Sequence, residues 1–191
     1  MTNALNVCSG TVYVYGNYGP QLLTLNTTYK ASLTMQNTNR ILKLTRCNFN
    51  TLKFGGSCLW FAGDLAACKV NNLILQRTGS TSSGVIEVKF ATADVALSVI
   101  QKIATGKTGT GVKVKIVFST GSATKDKALN EASPIKAINA LLMNGKTAAT
   151  SLLNDVNGCL HNAVKNNVLP AGSTYVAPVS TSSSGSFGRV L

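Results

Sequence analysis

Negative charge is the scarcest ingredient of this chain: six Asp and Glu stand against 18 Lys and Arg, for a formal net charge of +12. No acidic residue precedes Asp64, whereas Lys30, Arg40, Lys43, Arg46 and Lys53 do. Such an excess points to an anionic partner, either a polyanion or an acidic neighbour. Charged residues of both signs reach only 13%, about half the usual share, and small polar residues fill the gap, which argues against a charge-rich disordered chain. The chain also lacks long apolar runs. Ala140-Leu141-Leu142-Met143 falls far short of the roughly 20 residues that span a bilayer, so no membrane association is expected.

Catalytic groups are equally thin. One histidine, His161, and six singly placed acids leave few ways to set a base beside a nucleophile, and no Gly-x-Ser-x-Gly elbow is present. The five cysteines, Cys8, Cys47, Cys58, Cys68 and Cys159, form no Cys-x-x-Cys pair. They read as reduced thiols, and Cys159-Leu160-His161 is too small a ligand set for zinc. Gly106-Lys107-Thr108 and Gly145-Lys146-Thr147 end as a P-loop ends. The glycine required five positions earlier is replaced by Gln101 and Ala140, so each triplet reads as a helix C-cap followed by a loop. The expectation is a non-enzyme without cofactor, metal or small-molecule substrate.

What is present is periodicity. The 191 residues suit one domain. Thr11 to Tyr15, Leu22 to Leu25, Tyr29 to Met35, Arg40 to Thr45 and Lys69 to Gln76 read as strands. Leu52-Lys53-Phe54 and Cys58 to Phe61, around Gly55-Gly56, read as a hairpin. Val85 to Phe90 alternates, a helix capped by Thr92 carries Val95, Ala96, Val99, Ile100 and Ile103 to its end at Gly106, and Gly111 to Phe118 alternates again. This β-α-β middle would put Lys89, Lys113 and Lys115 on one outward face. Ser133-Pro134 opens a helix ending at Asn144-Gly145, and a second helix begins near Thr147, for a helical hairpin. No internal repeat of solenoid length is visible.

The fold expected is therefore α+β: an antiparallel β-rich N-terminal half, a β-α-β middle and a C-terminal helical hairpin, with residues 1–169 as one body. Residues 170–191 form an extended Ser-rich tail, whose apolar residues Tyr175, Val176, Val179, Phe187, Val190 and Leu191 would anchor it on neighbouring subunits. The function expected is a non-enzymatic structural subunit of a large assembly, most of all a viral or phage virion protein in a capsid, portal-proximal or tail position. A basic cytoplasmic nucleic-acid-binding protein is the alternative. The N-terminus lacks a secretory signal, so synthesis in a cytoplasm and residence in a virion are expected. Partners would be other copies, other proteins of the assembly and packaged nucleic acid. The contact residues would be Lys89, Lys113 and Lys115 as a coherent patch. Arg40, Lys43 and Arg46 would make scattered contacts, with Lys43 facing away from the two arginines if their strand is regular.

Overall fold

The computed structural model describes residues 4–5, 11–14, 22–35, 40–63, 68–77, 84–109 and 111–165. Its strands are β1 (Ala4–Leu5), β2 (Thr11–Val14), β3 (Leu22–Met35), β4 (Ile41–Phe54), β5 (Cys58–Phe61), β6 (Cys68–Leu75), β7 (Val85–Phe90) and β8 (Lys113–Phe118). Its helices are α1 (Ala93–Ala104), α2 (Ala123–Asn130), α3 (Ser133–Leu142) and α4 (Thr150–Lys165). Every strand pair is parallel, which overturns the expected antiparallel N-terminal half and makes this an α/β-type fold. The expected hairpin across Gly55-Gly56 is a corner: β5 lies parallel to the first residues of β4, with Ile41 beside Cys58 and Leu44 beside Phe61.

The strands wind as rungs. Leu22 pairs with Ile41 and Met35 with Phe54, both at an interval of 19 residues; the next interval is 17 at Ile41 to Cys58 and 21 at Phe54 to Leu75. A repeat of solenoid length is therefore present, contrary to the sequence expectation. Leu-Leu-Thr-Leu (22–25), Ile-Leu-Lys-Leu (41–44) and Cys-Leu-Trp-Phe (58–61) are successive copies of one edge of it. The first halves of β3 and β4 belong with β1, β5, β7 and β8 in one arm, and their second halves with β2 and β6 in another. Register shifts at Leu25/Asn26 and Ala31/Ser32 mark where β3 turns from one arm to the other. The Asn26-Thr27 step expected to separate two strands is this bend, inside a single strand.

Glycine makes the tight corners possible. A methyl group on Gly56 would run into the Arg40 carbonyl, and one on Gly63 into that of Thr45. The same Arg40 carbonyl accepts hydrogen bonds from the Ser57 amide at 2.8 Å and hydroxyl at 3.2 Å, so the chain turns directly over it.

Parallel stacking places like on like. Leu42, Leu59, Val88 and Ile116 form one buried row, and Leu44, Phe61, Phe90 and Phe118 the next. The rings of Phe61 and Phe90 stack at 5.4 Å between centroids, and those of Phe90 and Phe118 meet tilted at 5.9 Å. Each such aromatic pair adds about 0.5–1.5 kcal/mol beyond the area it buries. Helix residues Ala96, Ile100, Ile103, Ile135, Ile138, Val156 and Leu160 complete the same core.

At β7 the winding changes. The register interval is 29 at Cys58 to Glu87, where β6 still lies between the paired strands, and 28 at Val85 to Lys113, where α1 follows β7 in place of a second strand. The second arm thus ends at β6, and the α1 region caps its edge: Lys102 Nζ donates to the carbonyls of Val70 at 2.7 Å and Asn71 at 3.1 Å, while the Leu75 amide donates to the Thr108 carbonyl at 2.7 Å. The middle of the chain matches its β-α-β expectation, and α3 and α4 match the helical pair, although α3 is capped by Ala132 instead of Ser133 and α4 starts at Thr150. Helix α2 was not expected as an element; Ser122 caps it through the Lys125 amide. Residues 170–191 and their expected anchors lie outside the described residues.

The first arm ends at β8, and side chains take the place of a further strand. The Asn139 amide accepts from the Ile116 N–H at 2.8 Å and donates to its carbonyl at 2.9 Å; Asn130 does the same for Phe118 at 2.8 and 3.0 Å. Asp126 accepts from the Thr120 N–H at 2.7 Å. A bare strand edge invites pairing with other chains, and these three residues close it. Replacing Asn130 or Asn139 with Ala leaves one backbone donor and one acceptor unpaired, so each variant should lose about 1–3 kcal/mol in denaturant unfolding. Asn139→Asp, which still accepts but cannot donate, should also be destabilised. Unchanged midpoints in all three would remove the edge-capping role.

Candidate functional site

Strand alternation leaves one face of the first arm pointing away from the core. It carries Lys43 from β4, Cys58 and Trp60 from β5, Val85, Glu87 and Lys89 from β7, and Lys113, Lys115 and Val117 from β8. The described helices pack on the opposite, apolar side through the shared core. The register aligns Lys43, Trp60, Lys89 and Val117 across four strands, with Cys58, Glu87 and Lys115 as the neighbouring row.

The centre of this face is Trp60. The Lys43 ammonium lies 4.3 Å from its ring centroid and the Lys89 ammonium 4.7 Å. A cation over an indole gains about 0.5–1 kcal/mol where exposed and more where water is excluded, so the ring holds two like charges in place between which it is the spacer. The indole N–H is buried and has no hydrogen-bond partner among the described residues. An unmet donor of this kind costs about 1–3 kcal/mol, which marks the position as something other than optimised core packing. Glu87 is the face's acidic residue among those described. Its carboxylate lies 4.0 Å from Lys89 Nζ and 3.8 Å from the Cys58 thiol, which donates to it. One carboxylate against four lysines leaves the face positive.

Of the residues expected from sequence, Lys89, Lys113 and Lys115 do share this face, with Lys115 exposed and in register with Glu87. Lys43, assigned to scattered contacts, instead joins them through the β4–β5–β7 register. Arg40 is 4% exposed and sits beneath the corner at Gly56, away from that face. Arg46 occupies a position in β4, and its side chain lies outside the described residues. Trp60 is absent from the contact residues expected from sequence, and only its equivalence to Lys43 one rung earlier links it to the lysines.

The two Gly-Lys-Thr triplets also meet. Gly106, Thr108, Gly145, Lys146 and Thr147 line one cavity of about 70 Å³. Both are C-caps, as their sequence implied. Gly106 (φ +78°) and Lys107 donate back to Ile103 and Lys102 at the end of α1, and Gly145 (φ +67°) and Lys146 to Leu142 and Leu141 at the end of α3. Two helix C-termini therefore converge on the cavity. Their partial negative charge is the reverse of what a phosphate requires, and the lysines beside them are dipole-matched caps. Cys159 is buried on α4 and His161 half-buried. Among the described residues, no three His, Cys, Asp or Glu gather as a metal site, and no helix is long and apolar enough to cross a membrane.

Burial pushes the thiols of Cys58 and Cys159 up to about 11 from an ordinary 9.0; for Cys58 the charge of Glu87 adds to the rise while Lys89 works against it. Between pH 9 and about 11 the folded chain keeps protons that the unfolded chain has released, so this contribution to stability is full below 9 and is lost as pH rises through that window. The fall in unfolding midpoint over the window should be shallower in Cys58→Ala and Cys159→Ala chains, and both thiols should resist alkylation at pH 8 until denaturant is added. Rapid alkylation of the folded chain would contradict their burial. In the same assay, two thiols that react only after reduction would reveal a disulfide and refute the expectation of reduced cysteines; Cys47 and Cys68 are register partners on β4 and β6.

Compared with protein-family models, with curated proteins and with solved structures, the chain matches none.

Proposed function

We propose that this chain is a non-enzymatic structural subunit of a large assembly, of the viral or phage virion kind, and that it meets an anionic neighbour through the outward face of its first arm. The observation that carries the reading is the Lys43–Trp60–Lys89 row, with Lys115 beside it, held on a rigid parallel sheet. The net charge of +12 gives the whole molecule an attraction to negative surfaces, and the row gives it a place to act. The sheet holds the row at fixed strand spacing, and its far side is fastened to the helices, so little ordering remains to be done on contact. Residues 170–191, whose composition is Ser-rich with a few apolar residues, supply contacts to neighbouring subunits in this reading.

The test is incorporation. The full chain, a Lys113→Glu/Lys115→Glu variant and a chain lacking residues 170–191 are followed by sedimentation, alone and with material from the native source. The full chain should enter large particles. The charge reversal should weaken entry at low salt and flatten its salt dependence, while the shortened chain should fold yet fail to assemble. A full chain that stays monomeric and enters no particle would overturn the proposal.

A further inference from the structure

We infer that the anion this face receives is a single-stranded nucleic acid, its phosphates taken by Lys43 and Lys89 and an unpaired base by the face of Trp60. The inference rests on reading the outward face as the contact surface and goes on to name the chemistry it meets.

Spacing is the first argument. With both ammonium groups over one ring, at 4.3 and 4.7 Å from its centroid, they lie no more than about 9 Å apart. That span is of the order of the separation of neighbouring phosphates in a single strand, with the ring between them. Residue type is the second. The described outward face offers ammonium groups on flexible stems, point charges of the kind that bind phosphate oxygens. The third is the indole itself. Lysines and an aromatic ring on a sheet surface are the two components of sequence-tolerant single-strand binding, the cations tracking the backbone and the ring stacking a base.

Occupied by its own lysines, Trp60 is shielded. A phosphate draws each ammonium group away from the ring, because a full charge competes with a quadrupole at the same distance. That movement frees the ring face for a base, beside an indole N–H that has no acceptor among the described residues. Glu87, in the neighbouring row, opposes the strand. Lys89 lies at the limit of ion-pair distance from it, at 4.0 Å, so little is lost when Lys89 turns to a phosphate.

Trp60 is the only tryptophan in the chain, so its emission reports on this site alone. The experiment titrates the full chain with an oligothymidylate of about 20 nucleotides, a duplex of the same length and poly-glutamate. It follows tryptophan emission for the unmodified chain and anisotropy of the labelled ligand for Trp60→Phe, Trp60→Leu and Lys43→Gln/Lys89→Gln, each first shown to fold by circular dichroism. The oligothymidylate should quench the emission and bind more tightly than the duplex. Trp60→Leu should weaken it roughly 5- to 150-fold, as expected for one stacked base, with Trp60→Phe retaining most of the affinity. Lys43→Gln/Lys89→Gln should lower the slope of log affinity against log salt by about 0.7 per lysine. Binding of poly-glutamate in place of the oligonucleotide, lost in the lysine variant, would overturn the nucleic-acid inference and leave the contact-surface reading standing. Binding of neither would overturn both, and oligonucleotide binding with unchanged emission and an unchanged salt slope would place the nucleic acid elsewhere and overturn the inference.

Discussion

Parallel pairing of successive rungs is the constraint from which the rest of this structure follows. When each turn of the chain lies parallel to the one before, a residue stands beside its counterpart from the previous turn, and similar side chains collect into rows. Inside, the result is Leu44–Phe61–Phe90–Phe118, a line of one leucine and three aromatic rings that no single segment of sequence contains. Outside, the same operation builds Lys43–Trp60–Lys89 from three strands that are far apart in the chain. Core and candidate site are two faces of one register.

A stacked sheet has ends, and at the β6 and β8 edges this chain closes them with its helices. Helix α1 occupies the place of the next strand in the second arm and its Lys102 covers the carbonyls left by β6. Burial holds the Lys102 ammonium below its ordinary value, with the charge of Lys107 adding to the effect, and the two backbone carbonyls are what it receives in exchange. Asn139, Asn130 and Asp126 do the equivalent for β8 with side-chain amides and a carboxylate. The helices thus bury the inner face and also stop the ladder, which leaves the outward face as the side of the first arm that the described helices do not cover.

How far this could be read from the sequence depends on which interaction each feature uses. Alternation in Val85–Phe90 and Lys113–Phe118, the apolar stripe of α1 and the Pro134 start of α3 are local, and all four are legible. That Lys89, Lys113 and Lys115 share a face follows from the same alternation. Strand direction is different, because a period of two is common to parallel and antiparallel strands. The short links at Asn26-Thr27 and Gly55-Gly56 look like hairpin turns, yet the first is a bend within a rung and the second the corner from one rung to the next, and the second half of each rung provides the crossover that parallel pairing needs. The repeat was hidden for a related reason. Its copies keep only apolar character at alternate positions, as in Leu23, Leu42 and Leu59, while their spacing drifts between 17 and 21 residues, lengthens to 29 at Leu59 to Val88 and then takes in a helix. Aligning Leu-Leu-Thr-Leu with Ile-Leu-Lys-Leu and Cys-Leu-Trp-Phe would have put Trp60 beside Lys43. Nothing in the sequence distinguishes Asn130 and Asn139, whose role depends on where α2 and α3 meet β8.

Parallel winding can be tested directly by disulfide trapping at register positions, since two cysteines cross-link only when their Cα atoms lie within about 4.4–6.8 Å. Thr51 pairs with Asn72 across β4 and β6, whereas a hairpin turning at Gly55-Gly56 would bring Thr51 to Trp60. Under mild oxidation, a Thr51→Cys/Asn72→Cys chain should form the intrachain 51–72 bond, identified by peptide mass, and a Thr51→Cys/Trp60→Cys chain should not form 51–60. The opposite pattern, a ready 51–60 bond and no 51–72 bond, would contradict the parallel rungs and with them the row that joins Lys43, Trp60 and Lys89.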